Sequence, residues 1–120
     1  MDAPKIEAQD GYVLVDLGTG YVATHEKPVG LIDLVNAAFA QAGARKVLMT
    51  GVDIRGEFSL VDLLDRVKSF SELRAKMAMV ITHQGPAENI QFMEDASLLG
   101  ETKMRFFESV DEAKRWLGVK

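Results

Sequence analysis

Apolar positions along the chain switch repeatedly between a period of two and a period near 3.6, and these switches divide it into elements. After a polar lead of about ten residues, Tyr12 to Leu17 alternates, with Val13, Val15 and Leu17 on one face, and Gly18-Thr19-Gly20 follows as a turn. Tyr21 to His25 is again extended. A connection this short predicts an antiparallel N-terminal β-hairpin, since parallel neighbours need a longer crossover. Pro28 suits the first turn of a helix, because its missing N–H is not needed there. Leu31, Val35, Ala38, Phe39 and Ala42 continue that helix to a cap at Gly43.

Arg45 to Thr50 carries Val47, Leu48 and Met49 in succession, the pattern of a central parallel strand covered on both faces. Gly51 to Phe58 is a loop. Ser59, with Asp62 three residues on, opens a second helix whose buried face is Leu60, Leu63, Leu64 and Val67. Lys76 to Thr82, rich in Met77, Ala78, Met79, Val80 and Ile81, is a second central strand, broken by His83-Gln84-Gly85-Pro86. Ala87 to Leu99 places Ile90, Met93 and Ala96 at helical spacing and stops at Gly100. Residues 104 to 107 form a short strand. Ser109 and Glu112 then make a capping box for a last helix bearing Val110, Ala113, Trp116 and Leu117. The expected fold is α/β: a single layered domain over residues 1–120, with a mixed, mostly parallel sheet of five strands, an N-terminal hairpin and four helices. Val47, Leu48, Val80, Phe106 and Trp116 belong to its expected core, Trp116 contributing the largest area, and the closing helix marks the chain as a complete domain without a tail.

Composition narrows the function. The chain is 48% hydrophobic and 27% charged, and its apolar runs stay far short of the roughly 18 residues of a membrane span, so no transmembrane segment is expected. The N-terminus lacks a basic region followed by an apolar one, which points to a cytoplasmic protein. With no cysteine, thiolate catalysis, disulfides and cysteine-ligated zinc are excluded. A formal charge of -4 without a basic block argues against nucleic acid.

Ala44-Arg45-Lys46-Val47-Leu48, Gly56-Glu57-Phe58-Ser59, Met77-Ala78-Met79-Val80 and Arg105-Phe106-Phe107-Glu108-Ser109-Val110-Asp111-Glu112-Ala113, ending Trp116-Leu117, resemble the SpoIIAA-like family, also called STAS/SEC14-like. The resemblance covers roughly residues 44 to 118 and is most specific in its closing stretch. It implies a small bacterial α/β domain, similar in fold to anti-sigma-factor antagonists and to lipid-binding SEC14 domains. From the antagonists follows a non-enzymatic regulatory or protein-interaction role with a protein partner. The SEC14 side implies the alternative, a domain that binds a small hydrophobic ligand such as a lipid. In the antagonists a serine or threonine at the start of the helix after the central strand accepts a phosphate, which makes Ser59 the comparable phospho-acceptor. The Asp-Ser-type motif followed by Gly is missing, since Glu57-Phe58 precedes Ser59 and Leu60 follows it.

On the residues alone, Ser59 is explained as a helix N-cap. Asp53, Glu57 and Asp62 join it as candidate binding residues, because they flank the C-terminal end of the central strand, where open α/β sheets place ligands. No nucleophile and base stand at recognisable spacing, so no catalytic residue is assigned and an enzyme is not expected. His25 and His83 have no ligand-spaced partner, and Gly18-Thr19-Gly20 lacks the phosphate-loop pattern, so neither a metal nor a cofactor is called for. Methionines 49, 77, 79, 93 and 104 fill the core or, in the carrier reading, line an apolar cavity. Arg66, Lys68, Arg74 and Lys76 gather near a helix end, where a membrane-surface patch is the functional alternative to a dipole partner. Self-association through an exposed helix or edge strand fits the same pattern.

Overall fold

In the computed structural model, which describes residues 5–16, 31–53, 60–83 and 87–119, five strands form one mixed sheet in sequential order. The hairpin lies one strand earlier than the alternation suggests. β1 (Lys5–Gln9) pairs antiparallel with β2 (Tyr12–Asp16) across the two-residue loop Asp10-Gly11. Gly11 takes φ 88, a left-handed conformation that glycine adopts without strain, and its N–H donates to Ala42 O at 3.0 Å. The supposed polar lead is therefore an edge strand, with Ile6 and Ala8 half-buried on one side and Lys5 and Glu7 exposed on the other. Gly18-Thr19-Gly20, Tyr21 to His25 and Pro28 lie outside the described residues.

From β2 the sheet is parallel: β3 (Lys46–Asp53), β4 (Lys76–His83) and β5 (Lys103–Phe107) are added one place at a time in the same direction. Right-handed crossovers that all step the same way leave their helices on a single face. α1 (Leu31–Ala42), α2 (Leu60–Ser71) and α3 (Ala87–Ser97) accordingly share one core with Val13, Val15, Val47, Met49, Met77, Met79 and Met104 of the strands. α1 buries Val35, Phe39 and Ala42; α2 buries Val67 and Phe70; α3 buries Met93. Leu64, expected on the buried face of α2, is 36% exposed.

Among the described residues the opposite face is covered by α4 (Val110–Leu117) alone, which seats Ala113 and Leu117 against Tyr12, Leu48, Ala78 and Val80. β3 and β4 are thus covered on both faces, as their unbroken apolar runs imply, but by three helices on one side and a single short one on the other. Ser109, extended at φ -133 and ψ 148, accepts a hydrogen bond from the Glu112 N–H at 3.2 Å, which is the cap the sequence announces. Past the last turn, Gly118 and Val119 donate to Arg115 O and Lys114 O in a Schellman arrangement. Ser109→Ala is expected to lower stability by about 1 kcal/mol in denaturant melts.

Two of the expected core residues are not fully buried. Phe106 and Trp116 are half-buried, whereas Val47, Leu48 and Val80 are buried. The Trp116 ring lies along the flank of α4, with Phe107 at 5.7 Å between centroids and the Lys76 ammonium 4.3 Å above it. Lys76 Nζ also donates to Trp116 O at 2.6 Å, so the ring serves as a platform beside a helix C-terminus and its outer surface stays in contact with solvent.

Among the described residues no helix is long and apolar enough to cross a membrane.

Candidate functional site

The parallel strands end together on one edge of the sheet, β2 at Asp16, β3 at Asp53 and β4 at His83. In such sheets this edge is the usual place for ligands, because the strand ends and the connections that leave them face the same way. Asp16 and Thr50 are ladder partners there, and the Thr50 hydroxyl donates to Asp16 Oδ1 at 3.3 Å in a partly buried setting. One residue further, β3 departs from regular pairing. Gly51 has φ 77, where any side chain would strain the backbone, and the β3–β4 register shifts on both sides of Val52. Beyond the irregularity Asp53 and His83 are Cα partners on adjacent strands.

The sequence-derived candidates divide accordingly. Asp53 is the last residue of β3 and Asp62 the third of α2, while Glu57 and Ser59 lie outside the described residues, as does His25. Asp16, Thr50 and His83 were not singled out from the sequence as binding residues. Thirty residues separate Asp53 from His83 in the chain, and only the parallel pairing of β3 with β4 makes them neighbours. The signal that was available is Gly51, a glycine inside an apolar strand pattern, which is a mark of a bulge.

The same edge carries the acidic first turns of three helices, with Asp33 in α1, Glu88 in α3, and Asp111 and Glu112 in α4. Carboxylates there complement the positive helix ends and also leave the edge acidic. Among the described residues no group of three or more His, Asp or Glu is placed to hold a metal ion. The five methionines 49, 77, 79, 93 and 104 are all buried in the core under α1, α2 and α3, where their flexible side chains fill space between strands and helices.

The chain matches no protein-family model, no curated protein and no solved structure. Asp16 and Thr50 set a carboxylate and a hydroxyl in contact at neighbouring strand ends, and Asp53 and His83 are paired through their backbones at the ends of the next two strands.

Proposed function

We propose that this is a non-enzymatic protein-interaction domain that presents the C-terminal edge of its parallel sheet to a protein partner, the regulatory role implied by its resemblance to the SpoIIAA-like family. The observation that supports this reading most is the irregularity at Gly51, which ends regular pairing between β3 and β4 and sets Asp53 beside His83. Irregularities of this kind recur where a strand end is re-aimed for binding. The acidic helix starts around the edge favour a partner with a basic contact surface.

Ser59 is the narrower part of the proposal. A phosphate on it would add about -1.5 to -2 charges beside Glu57 and Asp62 in the sequence, and so tighten the contact with a basic partner surface, or expel an acidic one, without unfolding the domain. Affinity capture from the source cell, read by mass spectrometry, tests both parts. Wild type is expected to retain a protein that Asp53→Lys loses by at least about tenfold, and Ser59→Asp is expected to alter that capture while Ser59→Ala preserves it. Equal capture by wild type and Asp53→Lys would refute the edge as the docking surface. A lipid found on the purified protein by native mass spectrometry would instead support the carrier alternative.

A further inference from the structure

We propose that the opposite edge of the sheet, where the parallel strands begin, docks on an anionic membrane surface. Three turns meet there and are laced together. The Arg45 guanidinium donates to Leu73 O and to Asn36 Oδ1, the Lys76 N–H to Arg45 O, the Lys103 N–H to Ala75 O, and the Glu101 N–H to Ser71 Oγ. On this frame the first residues of three adjacent strands, Lys46, Lys76 and Lys103, are ladder partners in one row, and Arg45 and Arg74 stand in the turns beside them. Like charges in register repel, a cost that is offset at Lys76 by its bond to Trp116 O and its seat on the Trp116 ring. Glu72 and Glu101 lie within these turns and Asp10 in the β1–β2 turn on the same edge, which leaves five cations against three on a chain whose formal charge is -4.

Beside the row, the turn after α3 holds out two leucines. Leu98 is 67% exposed and Leu99 93%. The turn that carries them is held by its backbone, since Leu98, Leu99 and Gly100 donate to Asp95, Ala96 and Ser97 carbonyls at 3.1–3.2 Å. A Cβ on Gly100 would come within 2.5 Å of Ser71 Oγ, so the turn also sits tight against the end of α2. Arg74 adds a second cost, because it holds φ 50, a conformation that glycine takes freely and other residues pay to keep. Its side chain is exposed beside the lysine row.

A protruding apolar tip flanked by lysines and arginines suits a lipid interface, whose headgroups bind the cations while the tip sinks to whatever depth it reaches. A folded partner would need a matching pocket for Leu99, and nucleic acid would gain nothing from the leucines. The surface is separate from the strand-end edge proposed for protein binding and stands or falls independently of it. With this edge on a membrane, the acidic edge would face away from it.

Sedimentation with vesicles of phosphatidylcholine, alone or mixed with phosphatidylserine, tests the proposal. The intact chain is expected to bind only the mixed vesicles, and more weakly as salt is raised. Leu98→Ser with Leu99→Ser is expected to weaken binding at least about tenfold, and Lys46→Glu with Lys103→Glu likewise. Arg74→Gly should lose about fivefold while melting at a higher temperature. Leu34→Ser, which alters an exposed leucine on α1, should bind as wild type does. Failure of the wild type to sediment with the mixed vesicles would overturn the proposal. So would leucine variants that change only the association of the chain with itself in sedimentation equilibrium, which would make the tip a protein contact.

Discussion

Replacing Leu117 by alanine is expected to destabilise the domain by about 2–5 kcal/mol, and replacing the larger Trp116 by alanine to cost less, about 1–2 kcal/mol. Leu117 is 1% exposed and is one of only two buried residues of α4, the helix that among the described residues alone covers its face of the sheet. Its removal leaves a cavity over Leu48 and Ala78 that the rigid sheet cannot collapse to fill. Trp116 is half-buried, so truncation exposes a flank and forfeits the ring's contact with Phe107 and Lys76 without opening a void inside the core. Urea melts of the two variants decide the point. A larger loss for Trp116→Ala than for Leu117→Ala would show that the tryptophan, and not the leucine, anchors the helix.

Thr102→Val is expected to cost about 1–3 kcal/mol although it keeps nearly the same shape, because it strands the buried Ala75 N–H and removes one of the two donors to Phe70 O, the other being the Leu73 N–H. The Thr102 hydroxyl, 1% exposed, accepts from the Ala75 N–H at 3.2 Å and donates to Phe70 O at 2.7 Å. It thereby ties the end of α2 and the approach to β4 to the start of β5. Ser97 does similar work one turn away, accepting from the Met104 N–H at 3.1 Å while Glu94 Oε2 accepts from the Phe106 N–H at 2.9 Å. Side chains of α3 thus occupy the outer N–H groups of the edge strand β5, which blunts that edge against pairing with another chain. A Thr102→Val variant as stable as wild type would mean that the Ala75 N–H finds another partner.

The hairpin shows what could be read from the sequence and was passed over. Asp10-Gly11 is a strong two-residue hairpin signal, but β1 offers only Ile6 and Ala8 to its buried side, too little apolar alternation to stand out as a strand. Gly18-Thr19-Gly20 drew the turn instead. The half-burial of Trp116 was not legible at all, since periodicity places a residue on a face of a helix but does not say how far that helix reaches across the sheet.

By itself the sequence determined the helices and central strands, because unbroken apolar runs such as Val47-Leu48-Met49 and spacings such as Val35-Phe39-Ala42 are local consequences of what each backbone geometry can bury. It also determined the caps of α4, since Ser109 and Gly118 act on backbone groups only a few residues away. Only the tertiary structure decided that three helices share one face, that Asp53 stands beside His83, and that Lys46, Lys76 and Lys103 line up in one row. Each of these depends on strand order and register, which join residues about thirty positions apart. The energy that selects them comes from packing whole faces together, and no local pattern records it.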